Sequence, residues 1–282
     1  MNVPVHGSAD LHGEPRVNRK PKPYALQGQF PTSVKKLFFI FLALASLPIA
    51  SAVPVVSARF PRKTINLTVV SPTAFDAENS RTAWTGSESA STIAVASAIA
   101  QNKRVVVVIA WDSASQTLTS VADSVGNTYA IQATRNSGSD TTHYAIASAN
   151  ASTALTSSDT ISINWGSPAY TYRAAWVGTI TGTNVTNATA LDATASAGTY
   201  GTAISISAST AATATALVGL VDGSTGSTYT GSAWTALSQL SWGGAPNGLV
   251  IFWKNATASG TQDPAGTIGL ANWNGLWAAY RP

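Results

Sequence analysis

The run Arg104–Trp111, R-V-V-V-V-I-A-W, constrains the fold more than any other stretch of this chain. It is short, continuously apolar and rich in β-branched residues, which fits a strand better than a helix. With no polar alternate face, that strand is central and buried on both sides. The segments after it keep the same period. Thr141–Ala149 (T-T-H-Y-A-I-A-S-A), Asp159–Trp165 (D-T-I-S-I-N-W), Tyr172–Ile180 and Thr202–Ala208 alternate or run apolar, and Ala216–Val221, Leu249–Lys254 and Gly275–Tyr280 complete the set. Gly, Asn, Ser and Pro separate them, and no segment holds a helical period over three turns, so the chain is all-β, an antiparallel β-sandwich of the jelly-roll or Ig-like kind.

Between the first two of these strands stands V-A-D-S-V-G-N-T-Y, Val121–Tyr129. Gly and Asn suit positive φ, and the flanking runs Thr117–Ala122 and Thr128–Ala133 are apolar and β-branched, so the stretch reads as a β-hairpin tip. Upstream, Lys63–Ser71 alternates Ile65, Leu67 and Val69 as a first strand, Pro72–Ser89 is polar enough to read as a long loop, and Thr92–Ala100 is either a short strand or a helical turn.

The N-terminus differs in kind. Residues 1–52 carry Arg16, Arg19, Lys20, Lys22, Lys35 and Lys36 against Asp10 and Glu14, which accounts for the whole formal charge of +4. The remainder is neutral, which removes nucleic acid as a partner. Lys35-Lys36, the apolar run Leu37–Ile49 and Ala50-Ser51-Ala52 form the charged, apolar and small-residue regions of a secretory signal peptide. The run is shorter than the ~20 residues of a membrane-spanning helix, so no membrane attachment is expected after cleavage. The chain therefore divides into an extension upstream of a start near Val34 (1–33), the signal peptide (34–52), a Pro-containing linker (53–62) and a single β-sandwich domain (63–282). It has no Cys, so an exported domain of this size depends on its core, and all nine Trp follow the signal.

The order of features, V-x-D-S-x-G-N-T-Y, then H-Y-A-I-A, D-T-I-S-I-N-W, A-L-D-A-T-A-S-A-G and a final W-A-A-Y-R-P, resembles a widespread group of secreted bacterial β-sandwich modules of uncharacterised biochemistry. The resemblance spans roughly Lys103 to Pro282 and implies the fold and export but supplies no catalytic residues. Where the group carries a Glu-Tyr-Ser-Gly-like turn, this chain has Thr179-Ile180-Thr181-Gly182.

Chemistry is sparse. His143 is the only histidine beyond the signal, no G-x-S-x-G elbow is present, and both later Glu residues, Glu78 and Glu88, lie in the polar segment before the core strands, so no catalytic set assembles. Oxygen ligands near strand ends, Asp112, Asp123, Asn127 and Asp222, are the candidates for a calcium site; otherwise no cofactor is implied. Trp165, Trp176, Trp253 and Trp277 sit at strand phase and belong to the core. Tyr170, Tyr172, Trp234, Trp242 and Trp273 stand beside Gly, Pro or Asn and are expected to be exposed, the candidates for a sugar-facing platform. Three functions follow. The first is a non-enzymatic secreted or cell-surface module with an adhesive, structural or glycan-contacting role, its partner an extracellular glycan or a surface protein. The others are a secreted carbohydrate-active enzyme or carbohydrate-binding module, and a self-assembling extracellular filament subunit in which Val53–Ser71 pairs with a neighbour's sheet edge. N-terminal sequencing of the exported protein is expected to begin at Val53, directly after Ala50-Ser51-Ala52; a chain beginning upstream of Val34 would contradict both the cleavage site and the start.

Overall fold

A computed structural model describes residues 73–282 except 114, 137–140, 168–170, 184–189, 213–214, 225–233, 238 and 243–246. All belong to one compact unit, Asn66–Pro282. The signal peptide, the linker, the strand expected at Lys63–Ser71 and Tyr170 lie outside the described residues.

The described chain is an antiparallel all-β structure organised as two facing sheets. One runs in the order β1 (Ala74–Gly86), β8 (Thr171–Thr181), β3 (Arg104–Asp112), β6 (Thr142–Asn150) and β5 (Ala130–Asn136). The other runs β12 (Thr235–Ala236), β14 (Asn247–Ala256), β11 (Thr215–Ser224), β16 (Gly266–Tyr280) and β9 (Leu191–Ile204), with β13 (Leu240–Trp242) also on β14. Strand β3 sits at the centre of the first sheet, between β8 and β6, as its composition requires.

Alternation along β3 divides its side chains between two cores. Val106, Val108 and Ala110 point into the space between the two sheets, with Ile146, Trp176, Val218, Leu220, Ile251 and Leu276. Val105, Val107, Ile109 and Trp111 point the other way, where Ile93, Val121, Ile161 and Ile163 close over them. Those residues come from a third sheet, β2 (Ala90–Ala94), β7 (Thr160–Trp165) and β4 (Leu118–Asp123). The second sheet is covered on its outer face too: Leu217, Phe252 and Trp277 pack beneath Ile204, Ile206 and Trp234, beside the short pair β10 (Ala208–Thr210) and β15 (Gly260–Gln262). Both sheets of the sandwich are thus buried on two faces, and each large apolar residue removed from water contributes about 1.5–3 kcal/mol.

Three expectations change. Val121–Tyr129 does form a tight turn, with Gly126 at φ +87° and Asn127 bonded back to Asp123. Its two strands, however, part after one bridge, Ala122 to Thr128, and β4 joins the third sheet while β5 joins the first. The turn connects layers rather than closing a hairpin. The polar segment after Pro72 contains a strand, β1, paired with β8 along its whole length. It is an edge strand whose exposed positions carry polar residues or alanine, and two register shifts interrupt its alternation, so apolar periodicity does not reveal it. The strand expected at Thr202–Ala208 instead begins at Leu191 and ends at Ile204.

Glycine marks the tightest approach in the inter-sheet core. A methyl group at Gly178 on β8 would run into the ring of Trp176, whereas one at Gly201 on β9 would meet nothing within 4 Å. Gly178→Ala is therefore expected to cost about 1–3 kcal/mol by forcing Trp176 from its place, and Gly201→Ala to leave the melting temperature nearly unchanged. Thermal unfolding of both variants checks the contrast, and equal melting temperatures would contradict the packing.

Candidate functional site

Among the described residues four polar clusters stand at the joins of the layers. The most acid-base competent lies at one end of the inter-sheet core. Strand β11 carries Asp222 inward in phase with Val218 and Leu220, and only 5% of it is exposed. The Tyr144 hydroxyl on β6 donates to one carboxylate oxygen at 2.7 Å, and the Trp242 indole N–H on β13 donates to the other at 3.1 Å. Asn274 is register-opposite Asp222 on β16, and its Oδ1 accepts from Arg135 Nε on β5 at 3.0 Å. One carboxylate is therefore held from both sheets. Burial pushes the Asp222 carboxyl up to about 6; the hydrogen bonds from Tyr144, Trp242 and the Gly223 backbone act against the rise, and the charge of Asp112 adds to it.

At the other end of the same core Arg104 is fully buried. Its Nε donates to Thr183 Oγ1 and its Nη1 to Ser148 Oγ, both at 3.3 Å, and its guanidinium lies 5.7 Å from the centre of the Tyr280 ring. Burial, partly offset by the nearby guanidinium and by Ser148, pushes the Tyr280 phenol up to about 12.

The third cluster joins the first sheet to the third. Arg173 on β8 has a fully buried side chain. Its Nε donates to Gln116 Oε1 at 3.1 Å, Nη1 to Ser91 Oγ at 3.1 Å and Glu88 Oε2 at 3.3 Å, and Nη2 to the carbonyls of Glu88 and Gly86 at 3.1 and 3.3 Å. The guanidinium lies 5.1 Å from the Trp165 ring centre, a cation–π contact. Trp165 tilts against Trp111, and Trp111 stacks on His143 with ring centres 5.2 Å apart. His143 sits Nδ1 to Oδ1 at 2.7 Å from Asn136, and burial is the largest cause lowering its pKa. It is a packed strand residue whose ring bonds to an amide, and among the described residues no hydroxyl and carboxylate are hydrogen-bonded to it as a triad.

The fourth is the turn of Val121–Tyr129. Asp123 accepts from the backbone N–H and the side-chain amide of Asn127, both at 2.9 Å, and from the Tyr129 hydroxyl at 3.2 Å. Asn127 also bonds the carbonyl and N–H of Thr153 and the hydroxyl of Ser152. All the hydrogen-bonding capacity of Asn127 is used to pin the turn.

The four calcium candidates are not brought together. Asp123 and Asn127 belong to the turn beside the third sheet, Asp222 lies in the inter-sheet core, and Asp112 accepts a hydrogen bond from the Thr141 hydroxyl. Among the described residues no three His, Cys, Asp or Glu side chains gather in a way that would hold a metal ion. The aromatic platform is corrected in three of its members. Trp234, Trp242 and Trp273 are buried, not exposed: Trp234 packs edge-on to Phe252 at 5.0 Å, Trp242 is the donor to Asp222, and Trp273 lies in the core beneath the second sheet's outer cover. Tyr172 is half-buried against the inter-sheet core. Neighbouring Asn marks no turn at Trp273, which lies within β16, and because both faces of this sheet are covered the rings turn inward.

Arg104, Arg173 and Tyr144 are the polar residues that organise these clusters, and sequence reasoning passed over them. Their signal is a charge or hydroxyl set in phase inside an apolar strand, as in Arg104-Val105-Val106 and Tyr172-Arg173-Ala174. Comparison of the chain with family models, with curated proteins and with solved structures finds no match in any of the three.

The Asp222 latch carries a pH signature. Its folded-state pKa of about 6 lies above the ordinary carboxylate value, so the folded protein holds this proton longer than the unfolded chain does. The associated stability is present below about pH 4 and is lost as pH rises to about 6, roughly 3 kcal/mol in all. His143, with its lowered pKa, acts with the opposite sign. The difference in melting temperature between wild type and Asp222→Asn is therefore expected to shift against the wild type from pH 4 to 6.5; parallel profiles would contradict the assignment.

Proposed function

We propose that this chain is an exported, non-enzymatic β-sandwich module that presents one end of the sandwich to an extracellular glycan or surface protein. The observation that carries this reading is the placement of its first and last strands. Ala74 at the start of β1 pairs with Thr181, next to Ile180, which pairs with Arg104. Tyr280 at the end of β16 pairs with Ala216 and lies against the same Arg104. Phe75 N–H donates to Asn255 Oδ1 at 2.8 Å, tying the entering strand to β14 beside that end. The described chain therefore begins and ends at one end of this sandwich, and Asp112, Asp222 and Trp242 lie at the other.

A second consideration supports the non-enzymatic part. Asp222 and Arg173 with Glu88 are hydrogen-bonded into the joints between layers, and His143 is bonded to Asn136 on the neighbouring strand of its own sheet. A residue used as a joint is not free to change partners during a reaction without loosening the layers it connects.

Fractionation of producing cells is expected to place the chain in the medium or on the cell surface. The purified protein, immobilised through its C-terminus on a glycan array and on intact cells, is expected to retain a partner without releasing product. Recovery in the cytoplasm, or turnover of a polysaccharide, would overturn the reading.

A further inference from the structure

The sheet edges of this protein are treated unequally, and the exception has a use. Edge strands with free N–H and C=O groups recruit other strands unless they are short, charged, bulged or covered. Strand β1 has all the protections a long edge can carry. It bears Asp76, Glu78 and Arg81 and two register shifts, and the segment Ala94–Ser97 hydrogen-bonds to Asn79 and Ser80 along it. Strand β5 carries Arg135 and a bulge between Ile131 and Ala133, β4 has a bulge of its own, and β2, β10, β12, β13 and β15 are five residues or fewer.

Strand β9 is protected only at its ends, where its register against β16 shifts between Leu191 and Ala193 and between Gly201 and Ala203 and where Ala211 and Ala212 bond to Asp192. It runs fourteen residues, L-D-A-T-A-S-A-G-T-Y-G-T-A-I, with β16 as its one ladder partner among the described strands. Its register against β16 is unbroken from Ala193 to Gly201. It contains no Lys, Arg, Glu or Pro, and its only charge is turned away: the Asp192 side chain is 1% exposed, accepts from the N–H groups of Ala211 and Ala212, and faces Arg281. Tyr200, at 64% exposure, is the most exposed large apolar residue of the described chain.

We propose that β9 is a self-pairing edge, on which a second copy of this chain adds its own β9 antiparallel, about a twofold axis at Ala197, the midpoint of the regular run. The strand is complementary to itself in three respects. The axis places Tyr200 of each copy across from Thr194 of the other, an aromatic against a small β-branched residue, which is a favourable cross-strand pair. Small side chains over Ala193–Gly198 allow flat approach of the two edges. The two Asp192 carboxylates lie at opposite ends of the paired strands, about 30 Å apart at ~3.3 Å per residue, so they do not meet. Closed twofold pairing consumes both edges and ends the assembly at a dimer.

The test uses the full chain. At about 100 μM, where a micromolar edge pairing is nearly saturated, light scattering behind size exclusion is expected to give twice the 29.0 kDa chain mass. The variant Thr194→Lys/Thr199→Lys, which places charge at two exposed positions of β9, is expected to give the monomer mass with a melting temperature measured on dilute monomer within a few degrees of wild type. Because the chain has no Cys, single cysteines report geometry: Ala197→Cys is expected to form a disulfide-linked dimer under mild oxidation, and Ala83→Cys on β1 is not. A monomeric wild type overturns the proposal, as does a dimer that survives the lysine pair, since that association uses another part of the chain. Cross-linking through Ala83→Cys as readily as through Ala197→Cys also overturns it.

Discussion

The domain is built outward from a strand that has no solvent side. Because β3 is apolar at every central position, each of its faces needs its own cover, and the cover on each side is itself a sheet. The sheet across the sandwich, through β11, repeats the condition, with Val218 and Leu220 facing inward and Leu217 and Val221 outward. Burial on two faces propagates from layer to layer and stops where the last cover is thin enough to be half polar. Strand β7 is such a cover: Ile161, Ile163 and Trp165 face in, while the residues between them are only partly buried.

Stacked layers can slide, and apolar contacts alone discriminate poorly between one offset and another. The buried polar residues supply that discrimination. A buried guanidinium or carboxylate adds little net stability, but any arrangement that leaves it unpaired is heavily penalised. Arg173 fixes the first sheet to the third, Asp222 with Tyr144 and Trp242 fixes the two sandwich sheets at one end, and Arg104 fixes them at the other. In a chain without disulfides these joints take over the positional role, and they hold equally well in oxidising and reducing surroundings.

What was legible in the sequence follows the same physics. Strands buried on two faces, or cleanly half-buried, announce themselves by composition or period, and β3, β6, β7, β8, β11 and β14 lie within a few residues of where the pattern puts them. Strands β1 and β9 are edges in which Ala, Ser, Thr and Gly predominate and the few large apolar residues, Phe75 and Trp84 in one and Leu191, Tyr200 and Ile204 in the other, are too widely spaced to display a period. The turn at Val121–Tyr129 was readable because Gly126 and Asn127 meet a local backbone demand. Which sheet each flanking strand joins depends on partners 7 to 47 residues away in β6 and β7, and no local pattern encodes that choice. The candidate aromatics failed for a related reason: proximity to Gly or Asn reports on the backbone at a position, and the direction of an indole ring depends on which face is covered.

The pairing of β1 with β8 has a further consequence for how such a chain comes into being. Thr181 and Ala74, joined by a side-chain hydrogen bond, are 107 positions apart. An emerging chain therefore holds β1 without a partner until nearly half of the domain has followed it, and β8 is also the strand that flanks β3. The central sheet cannot close from its N-terminal side as it is made, and non-local pairing of this kind folds slowly. Under the export proposed above that delay is an advantage: the order of the strands along the sequence would keep the polypeptide open until translocation had delivered the segment that completes it.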